Sequence, residues 1–151
     1  MPKGTFNGGC ICGAVRYKLV MDVPDDPPPT ANRCNCTFCQ KISTVIFRPT
    51  SPDDFQLLSP SSFDDMAHYQ STKRPNDVHR YFCGKCGVHV ACRAKFEYQG
   101  QVHDIFNMNL VTIDQPQEGI ELSKWKIQYY DGRTDNFSAG TRDVPWPSGI
   151  P

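Results

Sequence analysis

The chain has 151 residues and a mass of 17.0 kDa, a length that suits one domain with a buried core of its own. Its 16 basic residues balance 16 acidic residues, so no overall positive charge favours nucleic acid or an anionic membrane as a partner. No apolar segment reaches the roughly 18 residues of a membrane-spanning helix, and the first residues lack the apolar stretch of a secretion signal. We therefore expect one cytoplasmic domain over residues 1–151, with no membrane or nucleic-acid contact.

Short strands dominate the predicted secondary structure. Alternating or β-branched apolar residues predict strands over residues 14–19, 44–47, 78–82, 89–96, 105–113 and 124–129. No window keeps a helical period beyond one turn within residues 60–66. The proline-rich residues 24–29 predict a stiff loop after the first strand, and residues 141–151 predict a Pro-rich C-terminal tail anchored by Trp146. The pattern indicates a mainly β protein with little helix.

Seven of the eight cysteines fall into three clusters, and one lies apart. The clusters are Cys10 and Cys12, then Cys34, Cys36 and Cys39, then Cys83 and Cys86, with Cys92 as the separate residue. An even number of cysteines is compatible with a disulfide framework. However, cysteines one or two residues apart bridge each other only with strain, and the chain has no export signal. We therefore expect reduced thiols that bind zinc, the metal that thiolates favour in such clusters, with thiol redox chemistry as the alternative.

The spacing leaves open how the thiols divide between metal ions. A Cys-x-Cys pair in an extended strand points both thiols the same way, and a Cys-x-x-Cys pair converges across a tight turn. In one partition the first and last pairs close a four-thiolate site, which leaves the middle cluster with three ligands and an open position, as in catalytic zinc sites. In other partitions Cys34 and Cys36 join the first pair, or Cys92 completes the middle cluster. Otherwise we expect Cys92 to be a buried side chain of an apolar strand.

The cysteine clusters and their neighbours resemble a known family. The matching segments are Gly9-Cys10-Ile11-Cys12-Gly13, Cys34-Asn35-Cys36-Thr37-Phe38-Cys39 and Phe82-Cys83-Gly84-Lys85-Cys86-Gly87, together with residues 107–114 and 130–133. This pattern resembles the glutathione-dependent formaldehyde-activating enzyme family, which also includes centromere protein V. The resemblance implies a β-tent fold of antiparallel sheets organised around zinc. It also implies carbon–sulfur lyase chemistry on an aldehyde–thiol adduct such as S-hydroxymethylglutathione, with glutathione or another thiol as co-substrate.

The resemblance further implies two zinc ions per chain and one partition of the cysteines. It assigns a structural zinc to Cys10, Cys12, Cys83 and Cys86, and a catalytic zinc to Cys34, Cys36 and Cys39. Three thiolates leave the second ion with a net charge near −1, so we expect it to bind and exchange thiols rather than generate a strong hydroxide. The alternative, from the centromere branch, is a non-catalytic zinc module that binds a protein or nucleic acid. The absence of a basic tail favours the enzyme.

Several further residues are candidates for steering a substrate or moving a proton. Between positions 73 and 95 six basic residues accompany one acid, and they either meet substrate carboxylates or remain solvated: Lys73, Arg74, Arg80, Lys85, Arg93 and Lys95. Arg33 and Lys41 bracket the middle cysteine cluster and have the same two interpretations. We expect His89 to be a structural residue near the four-thiolate site, with proton transfer as the alternative. Asn107 and Asn109 either line the pocket or stabilise turns.

Overall fold

The computed structural model describes residues 3–70 and 77–151, so Lys73 and Arg74 of the basic segment lie outside the described residues. Within these ranges the chain forms a six-residue helix, α1 (Thr37–Ile42), and short 3-10 turns. The strands are β1 (Gly4–Gly9), β2 (Arg16–Met21), β3 (Thr30–Cys34), β4 (Ile46–Phe47), β5 (Phe55–Ser59), β6 (Ala67–Gln70), β7 (Asp77–Phe82), β8 (His89–Tyr98), β9 (Gln101–Asn109) and β10 (Lys126–Tyr130). The mainly β prediction is confirmed. No described helix has the length and apolar character that crossing a membrane requires.

The strands form two sheets. The small sheet has the order β1-β2-β5, and the large sheet has the order β10-β3-β4-β9-β8-β7-β6. The pairs among the described strands are antiparallel, as predicted, except that β10 runs parallel to β3. A parallel pair needs a long crossover connection, and residues 35–125, which contain β4 to β9, supply it.

The hydrophobic core lies between the two sheets. Tyr17 of β2 is fully buried, and its ring stacks on Phe55 of β5 with 4.4 Å between centroids. Phe55 in turn contacts Phe106 of β9 at 4.9 Å, which joins the small sheet to the large one. The Thr112 hydroxyl donates to the carbonyl of Asn109, so the Tyr17 hydroxyl is the donor in its own 2.7 Å bond to Thr112 Oγ1. The buried hydroxyl groups of Tyr17 and Thr112 therefore both have hydrogen-bond partners.

The opposite face of the large sheet carries a row of polar side chains. Tyr69, Arg80, Cys92 and Asn107 lie directly opposite one another on β6, β7, β8 and β9. Directly opposed residues share a face, and neighbours along a strand alternate, so this row faces away from the core side chain of Phe106. Helix α1 packs over the row. This second face, rather than the core face, forms the surroundings of the site described below.

Several elements differ from the sequence prediction. The prediction misses β1, β5, β6 and α1, and it extends the strand of residues 105–113 too far. That strand ends at Asn109 because residues 110–112 turn into a 3-10 helix, in which the amide of Leu110 donates to the carbonyl of Val45 at 2.7 Å. The helical turn within residues 60–66 is confirmed as a 3-10 helix at Phe63–Asp65. The proline-rich loop connects β2 to β3, as predicted.

Candidate metal centres and the adjoining cleft

Four thiols converge where the two sheets meet, at the connection between β1 and β2 and at the turn between β7 and β8. This four-thiol cluster consists of Cys10, Cys12, Cys83 and Cys86, whose sulfur atoms all lie within 4.8 Å of one another. The Sγ of Cys12 is 3.6 Å from the Sγ atoms of both Cys10 and Cys83. Tetrahedral zinc with Zn–S near 2.3 Å places its sulfur ligands about 3.8 Å apart. The cluster could therefore hold a zinc ion with little adjustment.

The local backbone shapes the four-thiol cluster before any ion binds. The amide of Val15 donates to Cys10 Sγ at 3.2 Å, and the amide of Cys86 donates to Cys83 Sγ at 3.5 Å. Backbone hydrogen bonds of this kind favour the thiolate, and those from Cys86 and Lys85 lower the pKa of Cys83. The β7–β8 turn closes through a 2.9 Å bond from the Gly87 amide to the Cys83 carbonyl. Gly87 has a φ of +78°, which glycine adopts without strain.

A second group of three thiols forms at the start of α1. This three-thiol cluster consists of Cys34 at the end of β3, Cys36 at the N-cap of α1 and Cys39 inside the helix. The Cys39 amide donates to Cys36 Sγ at 3.4 Å, so the cysteine thiol replaces the usual hydroxyl or carboxylate cap. Cys92 does not belong to the cluster: its Sγ accepts a bond of 3.6 Å from Nη1 of Arg80. All eight cysteines are among the described residues, and all are free thiols.

The three thiols are hydrogen-bonded to one another, and these bonds give them different pKa values. Contacts with the thiols of Cys34 and Cys39 lower the pKa of Cys36 to about 2, and the charge of Arg80 adds to the effect. The same contacts, together with burial, raise the pKa of Cys39 far above its usual value. One sulfur therefore takes the negative charge at the expense of its neighbours. A dication would remove this competition by stabilising all three thiolates, so the donor set fits a soft metal ion such as zinc.

Asn35 anchors the three-thiol cluster from its position between Cys34 and Cys36. Its side chain is buried, with 4% exposure. Its Nδ2 donates to Asp131 Oδ1 at 2.9 Å and to the Pro147 carbonyl at 3.0 Å, and its Oδ1 accepts from the Arg133 amide at 2.9 Å. Hydrogen bonds from Thr134 and then Asn35 lower the pKa of Asp131, so this carboxyl is ionised at neutral pH. Asn35 thus ties the Cys34–Cys36 segment to the 131–133 turn and to the C-terminal tail.

The 131–133 turn lies directly against the three-thiol cluster. A Cβ atom on Gly132 would overlap the Sγ of Cys34 and would lie 3.4 Å from the Cβ of Cys36. Only glycine therefore allows the turn to approach this closely. The tail beyond the turn is fixed, as predicted, by Trp146, whose Nε1 donates to the Tyr129 carbonyl at 3.0 Å.

A cleft of about 660 Å³ opens beside Cys36. Helix α1 forms one wall and the polar row of the large sheet forms the other, with aromatic side chains on both sides. Three cationic side chains, Lys41, Arg80 and Arg133, line the cleft, and its lining among the described residues includes no carboxylate. The cleft therefore combines a thiol cluster with an excess of positive charge.

His89 lies in the wall of this cleft rather than at the four-thiol cluster, which corrects the structural position expected from the sequence. Its ring stacks on Phe82 with 5.0 Å between centroids. Burial and then the charge of Arg80 lower the pKa of His89, so the neutral imidazole dominates at neutral pH. Asn109 supports this segment, because its Nδ2 donates to the His89 carbonyl at 3.0 Å and its Oδ1 accepts from the Val45 amide at 3.1 Å.

A smaller cavity of about 100 Å³ adjoins the cleft. Cys39, Arg80, His89, Asn107 and Asn109 all contribute to its lining. Both asparagines therefore line this smaller cavity rather than the cleft, and Asn109 also makes the structural bonds described above.

The structure separates the predicted steering residues into two groups. Of the basic side chains considered from the sequence, Arg80 and Lys41 line the cleft. Arg93 and Lys95 line a different pocket on the core side of β8, where the Arg93 guanidinium lies 4.8 Å from the Phe63 ring centroid. Arg33 lies away from the cleft, near the C-terminal tail. Sequence reasoning overlooked Arg133 as a cleft residue, although the segment 130–133 that contains it was part of the family pattern.

Comparison with known families adds an independent observation. Residues 5–125 match the model of the family described as Glutathione-dependent formaldehyde-activating enzyme. The chain belongs to this family. The match includes both thiol clusters, and the family's name indicates enzymes of formaldehyde activation with a glutathione-related substrate. No curated protein matches the chain. The family match ends at Trp125, so β10, the 131–133 turn and the tail, which hold Asn35 and cover Cys34, lie beyond it.

Proposed function

We propose that the protein is a zinc-dependent carbon–sulfur lyase that acts on the adduct of an aldehyde and a thiol, with S-hydroxymethylglutathione as the model substrate. In this proposal Cys10, Cys12, Cys83 and Cys86 hold a structural zinc, and Cys34, Cys36 and Cys39 hold a catalytic zinc. The observation that carries it is the contrast between the clusters. The four-thiol cluster is complete, whereas the three-thiol cluster has no fourth protein ligand among the described residues and borders an open cleft.

Zinc held by three thiolates would supply an open coordination position for the sulfur of the substrate. The chain's own residues provide the remaining functions. Asn35 and Gly132 keep the three sulfur atoms convergent, and aromatic side chains line the cleft in which the substrate would bind. His89 is neutral at neutral pH and borders both the cleft and the smaller cavity, so it is the candidate base.

In the lyase direction the reaction transfers one proton and breaks the carbon–sulfur bond of the adduct. His89 accepts the hydroxyl proton of the adduct, the carbon–oxygen double bond forms, and the carbon–sulfur bond breaks. The departing sulfur keeps the bonding pair as a thiolate, and the proton returns from the imidazolium to that sulfur. The products are the free thiol and the aldehyde, and the reverse sequence forms the adduct. Because eight free thiols need a reducing environment, we propose the cytoplasm as the site of this reaction.

Zinc content and adduct exchange test the proposal together. The purified wild-type protein should contain two zinc ions per chain, measured by elemental mass spectrometry, and should accelerate the exchange between glutathione and formaldehyde in exchange NMR. Cys36→Ser should keep one zinc ion and a folded structure while losing the acceleration. Cys83→Ser should lose the folded structure, because a structural zinc site contributes on the order of 10 kcal/mol.

Two results would contradict the proposal. Equal losses of stability in Cys36→Ser and Cys83→Ser would show that the division into structural and catalytic ions is wrong. A wild-type protein that binds two ions but never accelerates exchange would support a non-catalytic zinc module instead.

A further inference from the structure

Arg80 is held in the cleft by two contacts that leave most of its donors unused. Its guanidinium carbon lies 3.7 Å from the centroid of the Phe38 ring, in a cation–π contact. Its Nη1 donates to Cys92 Sγ at 3.6 Å, a bond to a weak acceptor. Its Nε is buried and has no hydrogen-bond partner within the described part of the chain. A guanidinium carries five N–H donors. One of them donates to Cys92 and the buried Nε donor is closed to a ligand, so the remaining Nη donors are the ones available to bind an anion.

No carboxylate of the described residues pairs with Arg80. The ion pairs of the described residues do not include Arg80. The cleft lining adds Lys41 and Arg133 and no carboxylate. Arg80 is half-buried beside two further cations, and the Cys36 thiolate is already engaged in the three-thiol cluster, so a bound anion would offset the cost of this concentrated positive charge. Arg80 also lies close enough to Cys36 for its charge to act on that thiol, so a ligand bound there would be near the metal ligands.

We propose that Arg80 is a specificity-determining residue that binds a carboxylate of the thiol substrate, and that Cys92 positions it. The substrate thiol then places its sulfur at the three-thiol cluster and a carboxylate against the unused edge of the guanidinium, with Lys41 and Arg133 at the mouth of the cleft. The cross-strand register supports the role of Cys92, which lies directly opposite Arg80 on the neighbouring strand. This inference rests on the proposed function, because it requires a thiol in the cleft.

Two small thiols that differ in charge test the inference by binding rather than by turnover. Mercaptopropionate carries a carboxylate, and its methyl ester is the neutral analogue of nearly the same shape. Calorimetric titration of the zinc-loaded wild-type protein should show that mercaptopropionate binds about tenfold to hundredfold more tightly than the ester. That ratio corresponds to about 1.5–3 kcal/mol for a charge-assisted hydrogen bond, at about 1.4 kcal/mol per factor of ten. Added salt should weaken the binding of mercaptopropionate and leave that of the ester unchanged.

Substitution of Arg80 tests whether this residue causes the preference for mercaptopropionate over its ester. Arg80→Gln should remove the preference for mercaptopropionate while leaving the affinity for the ester within about twofold. Arg80→Lys should retain part of it, because lysine keeps the charge but loses the planar contact with Phe38. Arg93→Gln is the matched control: Arg93 also makes cation–π contacts, with the rings of Phe63 and Phe106, but lines a different pocket. This variant should keep the full preference.

Substitution of Cys92 tests its positioning role. Cys92→Ala removes the acceptor of Nη1 and should raise the KM for the mercaptopropionate–formaldehyde adduct several-fold with little change in kcat. Cys92→Ser supplies an oxygen acceptor and should restore the wild-type KM.

The results that would overturn the inference differ from those that would overturn the function. If the wild-type protein binds both thiols equally at low salt, the role of Arg80 is wrong and the lyase proposal stands. If it binds neither thiol, both proposals fail. If Cys92→Ala loses a zinc ion, Cys92 is a metal ligand and the positioning role is wrong.

Discussion

Replacing Asn35 with alanine should release the zinc of the three-thiol cluster while leaving the four-thiol cluster intact. Asn35 is neither a metal ligand nor a member of the cleft lining. Its effect comes from the bonds through which it holds the ligand segment against the 131–133 turn and the tail. The expected loss is therefore local to one metal site.

The size of the effect follows from the number of bonds removed. The Asn35 side chain makes three hydrogen bonds in a site that is nearly closed to water. A buried hydrogen bond contributes about 1 kcal/mol, so Asn35→Ala should cost about 3 kcal/mol. If this free energy is lost from zinc binding at the three-thiol cluster, the affinity for the second zinc ion drops about a hundredfold.

Competition with chelators of graded affinity measures this difference. Asn35→Ala should release one zinc ion to a chelator whose zinc affinity is about a hundredfold lower than that of the chelator needed for the wild-type protein. The other ion should be released only by the chelator that releases it from the wild-type protein. Asn32→Ala is the control, because Asn32 is half-buried on the preceding strand β3 and its side chain makes no hydrogen bond within the described residues. The reasoning is refuted if Asn35→Ala retains both ions as firmly as the control, or if it weakens both sites equally.

Three further predictions concern the same framework. Gly132→Ala should yield a folded protein with one zinc ion, because the new methyl group overlaps Cys34 Sγ; two ions by elemental analysis would contradict the close approach of the turn. Removal of both ions with a strong chelator should abolish the near-ultraviolet circular dichroism, since the structural site supplies on the order of 10 kcal/mol against a net stability of about 5–15 kcal/mol. Tyr17→Phe removes one buried bond to Thr112 and should lower the free energy of unfolding in urea by about 1 kcal/mol; a change above about 3 kcal/mol would indicate a different role.

Local patterns in the sequence predicted the parts of the fold that depend on neighbouring residues. Residues 78–82 and 89–96 show strand patterns on either side of a Cys-x-x-Cys turn, and they form the β7–β8 hairpin. Strand β1 escaped prediction because its residues are mostly glycine and polar; it forms because it pairs with β2 over its whole length and buries Phe6. Helix α1 is six residues long and starts at a cysteine cap, so neither its period nor its cap is typical of a helix.

The parts of the candidate site that depend on distant residues were not predictable in the same way. The contacts of Asn35 with the 131–133 turn join residues 96 to 98 positions apart, and no local pattern encodes them. His89 lies three positions beyond Cys86, which favoured a place near the four-thiol cluster. An irregularity in the pairing at Tyr81 and Phe82 sets His89 opposite Phe82, so its ring stacks there and borders the cleft instead.

The four-thiol cluster also constrains how the molecule can be made. Cys12 and Cys83 meet although 71 positions separate them in the chain, and each pair of thiols sits on a different sheet. A nascent chain that has left the ribosome only as far as β6 therefore offers two of the four ligands and cannot capture the ion tightly. With the proposed structural zinc at this cluster, metal uptake would be a late step of assembly, and without the metal the two sheets would lack this link between them.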